Sequence, residues 1–167
     1  LLTMSEGMDW HELDYPYDHP ENTLGQMWES RDAVQHVLDR PMAREPGESW
    51  AYNSGTSILL GGIIEQVSGR EVLAFAREYL FAPIGIGSVL WTKTTGGHYH
   101  TDGGLYLTSR DMARFGYLML RGGTWDGREI VPAEWVTRSA MAHYQTPWGY
   151  GYGYQWWILP DEIGYGA

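Results

Sequence analysis

PGESWAYNSGTSILLGGIIEQVSG, residues 46–69, places a tyrosine between a turn and an apolar helix. The Pro-Gly pair indicates a turn, and the short extended run after it delivers Tyr52 to a loop. Ser54 can cap the helix that follows, and Gly69 is typical of a C-terminal cap. The apolar positions of this helix are Ile58, Leu59, Leu60, Ile63, Ile64 and Val67. They are too many for one stripe, so we expect the helix to be buried nearly all round.

The rest of the chain is predicted to be mostly helical, with one clear strand. Residues 11–29 are rich in Asp, His, Pro and Tyr without steady periodicity, which predicts a loop lining a surface or cleft. Residues 150–159 interleave glycines with aromatics and predict a strand. A tight turn is expected at Asp126-Gly127. Apolar periodicity and capping signals predict four more helices, over residues 31–40, 71–81, 109–121 and 132–142.

Four segments of the chain carry a family resemblance. They are Leu1–Trp10 (LLTMSEGMDW), the triplet Tyr52-Asn53-Ser54, Asp102–Gly116 (DGGLYLTSRDMARFG) and Tyr152–Ile158 (YGYQWWI). In this order and at this spacing they resemble the serine β-lactamase, DD-peptidase and class C-type esterase superfamily. The second motif of that superfamily is Tyr-x-Asn or Tyr-x-Ser at the start of a buried helix. Because its third residue is serine, this triplet is most similar to the Tyr-x-Ser branch, which includes nylon-oligomer hydrolases and related carboxylesterases.

The resemblance implies a chain that is mainly α within an α+β parent fold. Residues 1–149 would form the helical part, and residues 150–167 would begin the C-terminal sheet of the same, incomplete structural domain. The family's nucleophile lies in a Ser-x-x-Lys motif, but the only lysine of this chain is Lys93, with Leu90 three residues before it. We therefore expect that motif upstream, and a Lys-Thr-Gly or His-x-Gly motif downstream, in a longer protein.

The resemblance also implies a catalytic role for Tyr52. Enzymes of this family cleave an ester or amide through an acyl-enzyme, and a positioned proton donor or acceptor contributes roughly 10²- to 10⁴-fold in rate. Ser54 would point into the same pocket and bond the lysine or the substrate. Asp102 stands where nylon-oligomer hydrolases carry a substrate-contacting asparagine. By pattern alone, Tyr52 would be a packing residue and Ser54 a helix cap. Because it contains no Ser-x-x-Lys motif, this chain by itself is expected to be inactive.

Two other functions stay open from the residues. His98, His100 and Asp102 alternate, so on a strand they would face one side and could converge on zinc. The stretch before them, residues 94–97, is not an apolar strand, which favours a plain loop over a zinc hydrolase, and no metal ligand is assigned. The other alternative is a non-catalytic, aromatic-lined binding domain, because the chain contains nine Trp and twelve Tyr.

Composition limits the partners of the protein. A net charge of −10 argues against nucleic acid and anionic membranes. No apolar run reaches about 18 residues, so no membrane span is expected. The chain has no cysteine, which excludes disulfides and thiol catalysis but leaves the compartment open, with a periplasmic or secreted location among the options. We expect a small-molecule ester, amide or β-lactam as substrate, no metal or organic cofactor, and an oligomeric state that the sequence does not indicate.

Overall fold

The computed structural model describes residues 1–160, and helices form most of its regular structure. The α-helices of this part are α1 (Thr23–Glu29), α2 (Ala33–Leu38), α3 (Ser54–Ser68), α4 (Val72–Ala76), α5 (Ser109–Leu120) and α6 (Ala133–Ser139). Its strands are β1 (Leu90–Trp91), β2 (Leu105–Tyr106), β3 (Thr124–Trp125), β4 (Arg128–Glu129), β5 (Tyr144–Gln145), β6 (Gly151–Tyr152) and β7 (Trp157–Ile158). They pair antiparallel as β1-β2, β3-β4 and β5-β6-β7. The prediction of a mainly helical chain is confirmed.

Several element ends follow local signals that the sequence displays. α5 begins after Thr108, whose hydroxyl accepts the N–H of Asp111 at 3.2 Å. This is the helix start that the sequence predicts. α3 ends at Gly69, which has a φ of 67° in the left-handed region that favours glycine. Asp126 and Gly127 have φ values of 46° and 76° and form the predicted turn between β3 and β4.

Two predicted boundaries near the tyrosine segment are wrong. Residues 11–29 are not loop throughout, because α1 occupies the second part of this stretch. The side chain of Asn22 caps α1 by accepting the N–H of Gly25 at 3.0 Å. Ser54 is not the N-cap of α3 but its first residue, and the N-cap is Asn53. Asn53 makes no side-chain capping bond, so the first N–H of α3 is open to a side chain from another segment.

Two further predictions of element type also need correction. The helix predicted over 71–81 continues after α4 as a π-helix, Arg77–Phe81. The strand predicted over 150–159 is two short strands, β6 and β7, because Gln155 has a φ of 63° between them and reverses the chain. The predicted sheet segment, residues 150–167, is described only as far as residue 160, and its last seven residues lie outside the described part.

Two hydrophobic clusters form the core of the described chain. One joins α1, α2 and α3, and the other lies around α4, α5 and the segment that follows α4. α3 is buried over its first turns, but Ile63 is 47% and Val67 83% exposed. The expectation that α3 is buried nearly all round is therefore wrong for its C-terminal half. The buried residues of the first cluster are Trp10, Leu24, Met27, Ala33, Val37, Ile58 and Leu59.

Candidate active site

The segment that carries Tyr52 is fixed by the N-terminal residues of the chain. The N–H of Ala51 donates to the carbonyl of Met4 at 2.8 Å, and the N–H of Asn53 lies 3.1 Å from the sulfur of the same residue. Asn53 is fully buried, and its side-chain amide donates to Glu6 at 2.7 Å. These contacts hold both neighbours of Tyr52. The half-buried phenol is therefore fixed at the N-terminal end of α3.

Glu12 supplies the cap that the N-cap residue of α3 does not provide. One carboxylate oxygen, Oε2, accepts the backbone N–H of Ser54 and the indole N–H of Trp10, both at 2.6 Å. The other, Oε1, accepts the hydroxyl of Ser54 at 2.8 Å. Glu12 is only 3% exposed. A carboxylate at a helix N-terminus is also favoured by the helix dipole, and a cap of this kind contributes about 1 kcal/mol to a helix.

Tyr52, Ser54 and Asp102 line one cavity of about 590 Å³. The three residues that the resemblance indicates thus come together from two separate segments, the Tyr52-Asn53-Ser54 triplet and the loop of Asp102. A cavity of this size accommodates a small-molecule substrate. The cavity is lined by Glu12, Tyr17, Leu24, Trp28, Tyr52, Ser54, Thr92, His100, Asp102, Gly103 and Gly104.

Asp102 forms part of the cavity wall. Its carboxylate accepts the indole N–H of Trp28 at 3.1 Å and lies 3.1 Å from Nδ1 of His100. The side chain is 5% exposed. These two contacts leave the carboxylate with unused lone pairs, since an ionised carboxylate has about four acceptor sites. Asp102 can therefore accept a hydrogen bond from a ligand without losing its own contacts.

The electrostatic environment of Tyr52 favours the neutral phenol. Burial raises the pKa of Tyr52 above its ordinary value, and the negative charge of Glu12 raises it further. Burial likewise raises the pKa of Glu12, against the hydrogen bonds from Ser54 and Trp10 that favour its ionised form. The charged neighbours that the structure places near Tyr52 are thus carboxylates, Glu12 and Asp102.

Aromatic rings form a wall behind Tyr52. The Trp157 ring lies 5.5 Å from the Tyr52 ring, centroid to centroid, and the Trp50 ring lies 6.2 Å away. Tyr152 is buried and packs edge to face on Trp157 at 5.1 Å. Trp148 and Trp157 are 53% and 40% exposed. These rings restrict the orientation of the phenol and also present an exposed apolar surface beside it.

The residues of the zinc hypothesis do not face one point. Nε2 of His98 lies 3.4 Å from Asp32, and its Nδ1 lies 3.8 Å from Glu65. His98 lines a different cavity, of about 540 Å³, whereas His100 and Asp102 line the cavity of Tyr52. Within residues 1–160, no three His, Cys, Asp or Glu side chains are grouped so that they could hold a metal ion.

The only lysine lies outside the tyrosine cavity. Lys93 donates to Glu71 at 2.7 Å and lies 4.3 Å above the ring of Tyr99. Sequence reasoning did not single out Glu12 or Trp28. Both belong to the stretch that was expected to line a surface or cleft, but no local pattern distinguishes them from the other polar and aromatic residues there. None of the helices within residues 1–160 has the length and apolarity needed to cross a membrane.

Comparisons with known proteins found relatives of this chain. A family model named Beta-lactamase matches residues 1–167. The chain is 31% identical to a 6-aminohexanoate-dimer hydrolase of Paenarthrobacter ureafaciens over 124 residues, which is 68% of this chain and 32% of that protein. It is also 31% identical to a lovastatin esterase of Penicillium rubens over 93 residues, 52% of this chain and 22% of that protein.

A solved structure shares the fold of this chain. It is a protein from Bacillus anthracis described as a 6-aminohexanoate-dimer hydrolase, with a TM-score of 0.77 and 25% identity. The match covers 94% of this chain and 45% of that structure. The chain thus shares its fold with a protein that is described as a hydrolase. The chain belongs to the beta-lactamase family. It spans about a third or less of the curated relatives it matches.

Proposed function

We propose that the complete protein is a serine hydrolase that cleaves a small-molecule ester or amide through an acyl-enzyme, and that this chain supplies its tyrosine. The observation that carries the proposal is the shared cavity of Tyr52, Ser54 and Asp102 at the N-terminus of α3. The family and the names of the two curated relatives, a dimer hydrolase and an esterase, support this reaction class.

The proposed reaction needs groups that this chain does not contain. None of its serines precedes a lysine by three positions, so the nucleophile and its lysine would come from a preceding segment. The serine oxygen attacks the substrate carbonyl, the lysine accepts the serine proton, and backbone N–H groups hold the oxyanion. In this scheme residues 1–149 are the helical part of the domain, and residues 150–167 begin its sheet.

Tyr52 would pass a proton from the nucleophile side to the leaving group. A neutral phenol donates one hydrogen bond and accepts others, so it can receive a proton on its oxygen while it releases its own. The pKa of Tyr52 is raised chiefly by burial, which keeps this neutral form populated at pH 7 in the chain itself. The leaving alkoxide or amine takes the proton, and water then releases the acyl group.

The test uses the complete protein with Tyr52→Phe. We expect the fold and KM to change little and kcat to fall by about 10²-fold or more, because the ring still packs on Trp157 and only the hydroxyl is lost. Tyr117→Phe is the matched control, since Tyr117 is 51% exposed on α5. An unchanged kcat for Tyr52→Phe refutes the proposed role of the phenol.

The exposed rings beside Tyr52 favour one second candidate, an aromatic-lined binding domain without catalysis. Trp148 and Trp157 are half-exposed, as rings of a ligand platform would be. The encoding gene separates the two functions. A Ser-x-x-Lys motif upstream of Leu1 supports the hydrolase, and an open reading frame without one supports the binding domain.

A further inference from the structure

Glu12 is a buried carboxylate that the proposed reaction does not use. It lies 42 positions before Ser54 in the sequence, yet three hydrogen bonds join it to Trp10 and Ser54. The two oxygens are not equivalent. Oε2 accepts two N–H groups, whereas Oε1 accepts only the Ser54 hydroxyl. Glu12 also lines the cavity of Tyr52, so it lies within the candidate site.

The bond to Glu12 determines which hydrogen bonds Ser54 can offer. A serine hydroxyl has one proton and two lone pairs, and an ionised carboxylate only accepts. The hydroxyl proton of Ser54 is therefore directed at Oε1 of Glu12 over 2.8 Å. What remains for the cavity is the oxygen with its lone pairs. Ser54 faces the cavity as an acceptor, suited to the N–H of an amine or ammonium group.

We propose that Glu12 is the positioning residue of this site, which fixes the Ser54 hydroxyl as an acceptor for the amine of the catalytic lysine. This inference rests on the proposed function, because that function requires the lysine. Glu12 does not touch substrate in this scheme and acts through Ser54. Its second bond, to the first N–H of α3, keeps the carboxylate fixed while the lysine gains and loses a proton.

Glu12→Gln tests the direction of this hydrogen bond. The amide oxygen can take the place of Oε2 and still accept the N–H groups of Trp10 and Ser54, which preserves the helix cap. The amide nitrogen then takes the place of Oε1 and donates to the Ser54 oxygen, so the serine proton turns into the cavity. The substitution is nearly isosteric, and we expect an unfolding midpoint close to that of the parent.

In the complete protein we expect Glu12→Gln to lower kcat/KM by about tenfold or more, since the acceptor for the amine becomes a donor. Ser54→Ala should cause a loss of similar size, and Glu12→Gln should add little in the Ser54→Ala background. Equal losses from Glu12→Gln with and without Ser54 overturn the proposal. So does an unchanged kcat/KM in Ser54→Ala, whether or not Glu12→Gln folds.

A second measurement uses the complete protein without substrate. The phenol of Tyr52 is titrated by NMR with tyrosine labelled at Cζ, and Tyr52→Phe identifies its signal. We expect Glu12→Gln to lower the pKa of Tyr52, because a negative charge is lost and Ser54 gains a proton to donate. Asp102 is unchanged in this variant and still raises the pKa of Tyr52. An unchanged pKa in folded Glu12→Gln overturns the proposal, whereas an unchanged kcat in Tyr52→Phe refutes the reaction scheme alone.

Discussion

Glu6→Gln should make the chain more stable at neutral pH. Glu6 is 8% exposed, and its Oε1 accepts the side-chain amide of Asn53 at 2.7 Å. Its other oxygen, Oε2, is buried and has no hydrogen-bond partner in the described structure. A buried polar group without a partner costs about 1 to 3 kcal/mol, and more when it is charged. Gln keeps the acceptor for Asn53, and the group without a partner becomes a neutral amide N–H₂ instead of a charged oxygen.

The sign of the pH dependence follows from the pKa of Glu6. Burial raises this pKa above 4.5, against the hydrogen bond from Asn53. Below pH 4.5 the carboxyl is protonated in both the folded and the unfolded chain. As the pH rises toward the folded pKa, the unfolded chain releases its proton first, so the free energy of unfolding falls. For each unit by which folding raises the pKa, the free energy of unfolding at high pH is lower by about 1.4 kcal/mol.

Urea unfolding followed by tryptophan fluorescence, at intervals from pH 4 to pH 8, measures this effect. We expect Glu6→Gln to raise the free energy of unfolding at pH 7 by about 1 to 2 kcal/mol, and to flatten the decline with pH. Glu12, whose pKa is also raised by burial, still contributes to the pH dependence of the Glu6→Gln variant. The exposed Glu29→Gln is the control. A Glu6→Gln chain that is less stable at pH 7, with the parent's slope intact, would refute the reasoning.

Three further predictions concern the site. This chain alone should not be labelled by a fluorophosphonate probe, because its only lysine, Lys93, is paired with Glu71 and cannot activate a serine in the cavity. Stoichiometric labelling of any serine would contradict this prediction. Chain purified without chelator should carry less than stoichiometric zinc, because His98 faces Asp32 and Glu65, and EDTA should leave its unfolding midpoint unchanged. A full equivalent of zinc that is lost in a His98→Ala, His100→Ala double variant would restore the zinc hypothesis. In the complete protein, we compare kcat/KM for a carboxylate-bearing ester with kcat/KM for a matched neutral ester. Asp102→Asn should raise the ratio of the two by about fivefold, because about 1 kcal/mol of repulsion is removed. An unchanged ratio would mean that Asp102 does not face the substrate.

The parts of the fold that could be predicted depend on neighbours in sequence. The capping of α5 by Thr108 and the end of α3 at Gly69 both involve residues within one turn of each other. The parts that were wrong depend on distant contacts. α1 has only seven residues, too few for clear periodicity, and it is held by the core cluster. Gln155 breaks the predicted strand while its backbone N–H donates to Leu2, at the other end of the described chain.

The same division applies to the site. Tyr52 and Ser54 could be identified because their motif is local and resembles a known family. Asp102 could be placed only through that resemblance, since its position beside the cavity depends on contacts with Trp28 and His100. Glu12 could not be found at all. Nothing around it in the sequence indicates that it caps a helix that begins 42 residues later.

The charges of the cavity indicate what a complete site must add. Glu12 and Asp102 both disfavour ionisation of Tyr52, and burial acts in the same direction. A phenol in this environment is a poor base, because removing its proton would place a third negative charge in a partly buried space. A lysine ammonium at the acceptor that Ser54 presents would reverse this balance, since it would compensate the carboxylates and favour the phenolate. The negative cavity is thus unfavourable for proton transfer by Tyr52 alone, and it would become favourable if a cation occupied it.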